Sequence, residues 1–319
     1  MRKNIKLKKC HSQTPNYQSL SVVLLAINEE KNIIRCLDSV KNIADEIVVF
    51  IDKNTTDRTE EFARRYTDRV FLVKHEDNFH INKQKAIEKA KGNWILQLDA
   101  DEFVTPELAE EIKKVINSSN KELLKRVLTS SKSDYQLPIT NYKKSLFLHH
   151  QRLIEKREGK LGEKTGEVAA FFIPRLNFFL GKPLIHAGVY PDGVIRLIKR
   201  GKARLPGKSV HELMEVDGEI GWLFNNLEHH ESPTLRRYFN RMNRYIDIRA
   251  EDFKYNKLPK NLWNFLKYFF LLPTYYFLLL YIRHLGFLDG LRGFLWSYLS
   301  SLHYPVSYLK YLLVKNVKD

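Results

Sequence analysis

The sequence predicts an α/β protein with a mostly parallel β-sheet, helices on both faces of the sheet, and a helical, membrane-associated carboxyl-terminal region. Three observations support this prediction. Short apolar, β-branched runs alternate with helix-like stretches through the first third of the chain, which is the pattern of repeated βα units. Acidic and amide residues follow several of these runs directly. The last part of the chain is rich in aromatic and apolar residues and poor in acids.

The apolar runs are predicted to be buried parallel strands because they are short and rich in Val, Ile and Leu. The polar segments between them are predicted to be helices. Another helix is predicted to begin after Thr105, a good N-cap residue that is followed by proline. The predicted strands are Ser21–Ile27, Glu46–Asp52, Arg69–Val73 and Asn93–Asp99, and the predicted helices are Glu30–Lys41, Asp57–Tyr66 and Asn82–Lys91.

Acidic residues crowd the end of the fourth predicted strand. Asp99, Asp101 and Glu102 lie within four consecutive positions, which is unfavourable unless a cation neutralises them. Carboxylates of this kind select Mg²⁺ or Mn²⁺ ions that bridge phosphates. The alternative is a solvated acidic loop before the helix at Thr105. The position at a strand end favours the metal site, because ligands of parallel sheets bind there.

Polar residues also follow the first two predicted strands. Asn28 and Glu29 come directly after the first strand, and Asp52 ends the second. The carboxyl ends of parallel strands meet at one edge of a sheet, so these side chains are expected to line a nucleotide site. For Asp52 and Asp57 the alternative is a turn or helix-cap role.

Three segments resemble, in order and spacing, the donor half of the family 2 inverting glycosyltransferases, which have the GT-A fold. They are NEEKNIIRCLDSV, FIDKNTTDRT and INKQKAIEKAKGNWILQLDADE. The later segment RLNFFLGKPLIHAGVYPDGVIRLIKRGKARL and the tail motif GFLDGLRGF resemble the bacterial lipopolysaccharide-core type of β-glucosyltransferase. The family often has Arg-Asn where this chain has Lys83-Gln84.

This resemblance implies a role for each matching residue. Asn28 and Glu29 would lie along the nucleotide, and Asp52 would meet the base. Lys83 would lie beside the donor, while Asp99 and Asp101 would hold the ribose and a Mg²⁺ or Mn²⁺ ion, with Asp101 the principal metal ligand. The implied partners are a nucleotide-sugar donor, a lipid-linked or polysaccharide acceptor and an anionic membrane surface, with no nucleic acid.

An inverting transfer needs one carboxylate to deprotonate the acceptor hydroxyl. The first candidate is Glu212, which follows His211, a residue that could bind phosphate or complete the metal shell. The second candidate is Asp192, for which a plain turn role is the alternative because Gly193 follows it. Arg196, with Lys199 and Arg200, could face an anion or form a solvated strand face.

The resemblance and the patterns together divide the chain into three parts. Residues 1–19 are predicted to be a basic flexible arm. Residues 20–217 are predicted to be the GT-A catalytic domain, with a nucleotide-sugar half at 20–117 and an acceptor half at 134–217. Residues 218–319 are predicted to be a helical, membrane-associated region.

Charge and cysteine content bear on location. The net charge is +16; residues 1–19 contribute +5, and residues 254–319 contribute +7 from nine basic and two acidic residues, leaving +4 for the rest. Basic ends on a nearly neutral body fit an anionic lipid surface better than nucleic acid. Cys10 and Cys36 form neither a disulfide framework nor a zinc motif, and no apolar run of signal-peptide length follows the amino terminus. The cytoplasmic face of the membrane is therefore expected.

The carboxyl-terminal part has its own pattern. Glu219–Tyr255 is predicted to be helical, and His229 and His230 within it are assigned no role. Tyr268–Ile282 has no charged residue, contains one proline and is rich in Tyr and Phe, which prefer the lipid headgroup level. A spanning helix needs about 20 apolar residues. An in-plane or re-entrant anchor is therefore predicted, with a buried hairpin of a soluble enzyme as the alternative.

The predicted function is transfer of a hexose, with glucose favoured, from a UDP-sugar to a lipid-linked or lipopolysaccharide-type glycan. Two other classes remain open. A nucleotidyltransferase also uses a parallel sheet and Mg²⁺, but usually has a Gly-rich loop where this chain has Asn28-Glu29-Glu30. A catalytically inactive membrane scaffold with the same fold is the third possibility, and the intact acids Asp99, Asp101 and Glu212 argue against it.

Overall fold

A computed structural model of the chain describes residues 17–128, 138–159, 161–207 and 213–313. The strands are β1 Leu20–Ala26, β2 Glu46–Asp52, β3 Val70–Val73, β4 Trp94–Asp99, β5 Glu102–Val104, β6 Val168–Phe179, β7 Lys182–Pro183, β8 Gly193–Lys199, β9 Ala203–Arg204, β10 Glu215–Val216, β11 Glu219–Trp222 and β12 Leu227–Ser232. The helices are α1 Ile33–Val40, α2 Thr59–Ala63, α3 Phe79–Lys89, α4 Pro106–Ile116, α5 Asn120–Leu124, α6 Asn141–Glu158, α7 Leu235–Tyr255, α8 Leu262–Arg283, α9 Gly290–Ser301 and α10 His303–Leu313.

The predicted α/β class is confirmed, and all four predicted strands are present as β1 to β4. Thr105 caps α4 as predicted, since its side chain accepts a hydrogen bond from the backbone N–H of Leu108. Helix α3 begins at Phe79, earlier than predicted. The reason is a local cap: the side chain of Asn78 accepts from the N–H of His80.

The main sheet has the strand order β3-β2-β1-β4-β8-β6-β12-β5. Strands β1 to β4 are parallel to one another, and β8 joins β4 in antiparallel orientation, with Leu96 opposite Leu197. Strand β12 runs antiparallel to β5, with His229 opposite Glu102. These two pairings bring residues from the second half of the chain to the carboxyl end of β4.

The sheet is covered on both faces, as a parallel sheet requires. Strand β1 is buried along nearly its whole length. Val22 and Leu24 pack into one core cluster with Ile33 and Leu37 of α1. Val23, which points to the opposite face, is also fully buried. The packed core therefore fixes the position of the carboxyl ends of the parallel strands, where the polar residues lie.

The helical prediction for Glu219–Tyr255 is wrong in its first part. Residues Glu219–Trp222 and Leu227–Ser232 are strands, and the helix begins only at Leu235, after a cap from Thr234. Here the pairing of β11 with β6 and of β12 with β5 outweighs the helical sequence pattern, because tertiary contacts can override local propensity. This correction places His229 on a strand.

The described residues form two compact units. One consists of the residues up to Arg175 together with Pro191–His229, and contains most of the sheet. The other consists of Leu176–Tyr190 and the residues from His230 onward, and contains helices α7 to α10. In this second unit Phe179, Tyr238 and Leu299 belong to one buried cluster.

Helix α8 is longer than the uncharged run predicted for it. It has 22 residues and a mean hydropathy of 1.5 over its most apolar window, none of which is buried, and is therefore long and apolar enough to cross a membrane by length and composition alone. The helix continues through Pro273 because the preceding turn, Lys267–Leu271, is π-helical, with the N–H of Leu272 donating to the carbonyl of Lys267. The widened turn accommodates the missing N–H of proline.

The tail motif GFLDGLRGF forms a tight corner and the first turn of α9. Asp289 accepts hydrogen bonds through Oδ2 from the N–H groups of His186, at 2.8 Å, and Ile185, at 3.1 Å, and its Oδ1 lies 2.8 Å from Nδ1 of His186. Gly293 is required by close packing, since an added Cβ would lie 1.8 Å from the carbonyl oxygen of Gly286. The motif therefore has a structural role within the second unit.

Candidate active site

Polar residues line the carboxyl edge of β1 to β3. Asn28, in a left-handed conformation with φ of 53°, accepts through Oδ1 from the N–H of Thr56 at 2.8 Å. Asp52 is buried; its Oδ1 accepts from the N–H of Asn54 at 2.9 Å and its Oδ2 lies 2.8 Å from Nδ1 of His75. The loops after β1 and β2 are thus tied together at the edge where a nucleotide is expected.

Glu29 and Asp57 hold the adjoining turns in shape. The backbone N–H of Glu29 donates to Oγ1 of Thr59 at 2.7 Å. Asp57 accepts from the N–H groups of Glu30 and Thr59, both at 3.0 Å. Asp57 therefore makes the cap and turn contacts that were the alternative to a role in the nucleotide site.

Asp99 is held between two cations. Its Oδ1 lies 2.5 Å from Nζ of Lys83 on α3, and its Oδ2 lies 2.6 Å from Nη2 of Arg196 on β8. Burial by itself raises the pKa of Asp99, but the charges of Arg196 and Lys83 hold it well below its usual value. Burial lowers the pKa of Lys83. Asp99 is consequently ionised, and Arg196 is buried against it rather than on a solvated strand face.

Asp101 has a different environment. Its Oδ1 lies 3.8 Å from Nε2 of His229, which the antiparallel pairing of β12 with β5 brings to this point. Burial, followed by the nearby charge of Arg175, holds the pKa of His229 well below its usual value, so the imidazole is neutral at pH 7. A neutral imidazole has a nitrogen lone pair available for a metal ion.

The donor set fits a metal ion that is shared with phosphates. Across the described ranges, no group of three or more His, Cys, Asp or Glu side chains could hold a metal by itself. Protein sites for Mg²⁺ on phosphates commonly supply only one or two carboxylates, and the ligand supplies the remaining oxygens. Asp101 with His229 matches that chemistry, and the imidazole is better suited to Mn²⁺ than to Mg²⁺.

One candidate base lies close to this cluster. Oδ2 of Asp192 is 2.8 Å from Nη2 of Arg175, and Asp192 has a left-handed φ of 30°. The backbone of Arg175 also donates to the carbonyl of Asp192 at 3.3 Å. Glu212 and His211, the other predicted site residues, lie outside the described residues.

A cavity of about 200 Å³ opens beside Asp99. It combines charged groups from α3, β4 and β8 with apolar walls, which is the usual composition of a small-molecule site. Its lining residues are Phe79, His80, Lys83, Gln97, Asp99, Val194, Ile195, Arg196, Leu205, Leu213 and Met214.

This geometry agrees with a comparison against protein families. Residues 21–174 match the profile of the family described as Glycosyl transferase family 2. Residues 21–174 are a family 2 glycosyltransferase domain. The match covers β1 to β5 and the beginning of β6, including every predicted residue from Asn28 to Asp101. Membership in this family favours glycosyl transfer over the nucleotidyltransferase alternative.

Individual glycosyltransferases resemble this chain to different extents. An uncharacterised glycosyltransferase of Rickettsia bellii (strain RML369-C) is 36% identical over 105 residues, which are 33% of this chain and 35% of that protein. The lipopolysaccharide core biosynthesis glycosyltransferase LpsC of Rhizobium meliloti (strain 1021) is 23% identical over 296 residues, 88% of this chain and 90% of LpsC. The matched stretch thus spans about a third of the length of the Rickettsia relatives.

Two solved structures are also similar. The mannosyltransferase PcManGT from Pyrobaculum calidifontis, in complex with GDP-Man and Mn²⁺, aligns with 94% of this chain and 88% of its own at 12% identity and a TM-score of 0.44. Glucosyl-3-phosphoglycerate synthase from Mycobacterium tuberculosis, in complex with Mg²⁺ and UDP, aligns with 27% of this chain and 34% of its own at 26% identity and a TM-score of 0.25.

Sequence reasoning missed His229 and Arg175, which the structure places beside the acids that follow β4. Both come from strands of the second half of the chain, far in sequence from the acids at β4. Leu227 and His229 are buried in LEHHES and Glu228 and His230 are less so, which is the alternation of a strand, but this burial is visible only in the folded chain. Arg175 carries no local sequence signal either.

Proposed function

We propose that this protein is an inverting glycosyltransferase that moves a hexose, with glucose as the first donor to test, from a UDP-sugar to a lipid-linked or lipopolysaccharide-type glycan. The observation that carries the proposal is the cluster at the end of β4 within a family 2 domain. There Asp99 is bound by Lys83 and Arg196, and Asp101 lies 3.8 Å from His229. Cations beside a pair of acids suit a diphosphate with its metal ion.

The donor would occupy the edge of residues 20–117. Asn28 and Glu29 would lie along the nucleotide, and Asp52, with its buried carboxylate, would accept an N–H of the base. Lys83 and Arg196 would bind diphosphate oxygens. Asp101 and His229, with His211 as a further candidate, would hold Mg²⁺ or Mn²⁺. The ion would stabilise the negative charge of the departing diphosphate.

The transfer itself is a displacement at the anomeric carbon. The acceptor oxygen forms a bond to that carbon while the bond to the diphosphate breaks, and UDP leaves with the electron pair. The proton of the acceptor hydroxyl passes to one carboxylate on the opposite face. Glu212 is the first candidate and Asp192 the second, both in the proposed acceptor half at residues 134–217.

We propose that residues 218–319 attach the enzyme to the cytoplasmic face of the membrane through the helices of this region. Support comes from exposed apolar side chains along α8, among them Phe270 at 57%, Leu271 at 52% and Ile282 at 55% exposure. Small residues at the contact between α9 and the preceding corner, Gly293 and Gly286, are typical of helix packing in lipid. The similarity to LpsC supports a lipopolysaccharide-type acceptor.

A donor screen tests the proposal. The detergent-purified protein is mixed with UDP-glucose, other UDP-hexoses and GDP-mannose, with Mn²⁺ or EDTA, and both thermal stabilisation and release of the nucleoside diphosphate are measured. We expect a UDP-sugar with Mn²⁺ to stabilise the fold, because a ligand that binds only the native state does so. No nucleotide release with any sugar donor would favour the inactive-scaffold alternative.

A further inference from the structure

Glu102 is a fully buried carboxylate at the centre of the site, and the functions proposed above leave it without a role. Its exposure is 0%. Oε1 accepts from Nη2 of Arg196 at 2.7 Å and from Nη1 of Arg175 at 3.4 Å, and Oε2 accepts from the N–H of Asp99 at 3.0 Å. One carboxylate therefore contacts two guanidinium groups and the backbone of the strand end.

The two arginines face different partners on their other sides. Arg196 contacts Asp99 at 2.6 Å, next to the proposed diphosphate position. Arg175 contacts Asp192 at 2.8 Å, on the side of the second candidate base. Glu102 thus joins the donor-side cation to the acceptor-side cation.

The surrounding charges balance only when Glu102 is counted. Three cations and three carboxylates form a continuous series of ion pairs with a formal sum of zero, in the order Lys83, Asp99, Arg196, Glu102, Arg175 and Asp192. Without Glu102 the sum is +1. The Nε atoms of Arg175 and Arg196 are buried and have no hydrogen-bond partner among the residues that the structure describes.

A purely stabilising role explains this arrangement poorly. A buried ion pair is weak evidence for stability, because the cost of removing both charges from water often cancels their attraction. Apolar side chains at the same positions would give a comparably stable core. The arrangement does, however, fix two guanidinium groups in place before a ligand arrives, which is what a preorganised site requires.

We infer that Glu102 is a positioning residue that holds Arg196 toward the donor diphosphate and Arg175 toward Asp192. This inference rests on the proposed glycosyl transfer for its catalytic consequence, but its effect on nucleotide binding does not depend on transfer. The negative charge of Glu102 weakens the attraction of Arg196 for a diphosphate, while its two oxygens fix the geometry that the reaction needs.

The test is Glu102→Gln, which keeps size and removes charge. UDP binding is measured by calorimetry in EDTA, and UDP release from UDP-glucose is measured with Mn²⁺. We expect UDP to bind about tenfold more tightly, since removal of one nearby charge changes the binding free energy by this order. We expect kcat to fall about 10²-fold from misplacement of the arginines, with a lower KM. Binding and rate would then change in opposite directions, which a general loss of structure does not produce.

Two further variants separate charge from position. Glu102→Asp keeps the charge but shortens the side chain, so UDP affinity should return to near the wild-type value while kcat stays low. If Glu102→Gln does not fold, Arg175→Lys serves instead, because it keeps the positive charge but cannot contact Glu102 and Asp192 simultaneously. In this variant the UDP affinity should be unchanged and kcat should be reduced. Weaker UDP binding in Glu102→Gln, or normal kcat in all the variants that fold, would overturn the inference. Absence of UDP release by the wild-type protein would overturn the proposed function, and the UDP affinities would still decide the role of Glu102.

Discussion

Nη2 of Arg196 lies 2.6 Å from Oδ2 of Asp99, and this ion pair joins β8 to the carboxyl end of β4. The antiparallel pairing of the two strands places Leu197, the residue after Arg196, opposite Leu96. Together with Lys83, Arg196 neutralises the first acid of the Asp99-Ala100-Asp101 turn. Oδ1 of Asp101 lies 3.8 Å from Nε2 of His229 instead.

Asp101→Ala should abolish the gain in UDP affinity that Mn²⁺ provides, because it removes the carboxylate oxygen proposed to bind the ion. Metal-free UDP binding should change little, since Lys83 and Arg196 remain. Calorimetry with and without Mn²⁺ measures both. Glu110→Ala, an exposed acid on α4, is the matched control. An unchanged Mn²⁺ effect in Asp101→Ala would rule out Asp101 as a metal ligand.

Glu212→Gln and Asp192→Asn decide which carboxylate is the base. The substitution at the true base should lower transfer by about 10²–10⁴-fold, because the amide cannot accept the proton of the acceptor hydroxyl. UDP affinity should be retained in both variants. Transfer is measured with the best donor from the screen and a lipopolysaccharide acceptor. If both variants transfer at near-normal rates, the base is neither residue.

Leu271→Glu combined with Leu278→Glu should prevent sedimentation of the protein with anionic liposomes. Both leucines are exposed on α8, at 52% and 45%, and one charge within an apolar helix costs about 3 kcal/mol on insertion. Leu153→Glu on α6, exposed at 54%, is the control and should still sediment. Equal sedimentation of the double variant and the wild-type protein would contradict membrane attachment through α8.

His303→Gln should make the stability of the fold less dependent on pH. Burial, followed by the charges of Arg249 and Arg241, lowers the pKa of His303 to about 4, below its usual 6.5. Between pH 6.5 and pH 4, His303 is protonated in the unfolded chain but remains neutral in the folded chain. The free energy of unfolding therefore falls as the pH drops from 6.5 toward 4. The wild-type protein should lose about 1 kcal/mol more than the variant between pH 7 and pH 5, after allowance for solvent screening.

Urea unfolding at the two pH values, followed by circular dichroism, measures this difference. His149→Gln is the control, because His149 is exposed. Equal losses of stability in the wild-type protein and in His303→Gln would show that His303 is protonated as easily in the folded state as in the unfolded one.

The sequence by itself determined the first half of the fold. Strands β1, β2 and β4 are apolar runs, and their burial on both faces explains why the pattern is continuous rather than alternating. The cap at Thr105 and the acids after β4 are equally local features. Local spacing was therefore sufficient to predict the sheet edge at which the acids Asp99 and Asp101 lie.

Only the tertiary structure decided which distant side chains join them. Arg196 and His229 reach the end of β4 through the pairings of β8 with β4 and of β12 with β5, and Arg175 through β6. The register of such pairings depends on burial and packing of whole strands, so it cannot be obtained from the residues of one segment. For the same reason the helix predicted from Glu219 is a pair of strands: a neighbouring strand, rather than local propensity, determines the conformation there.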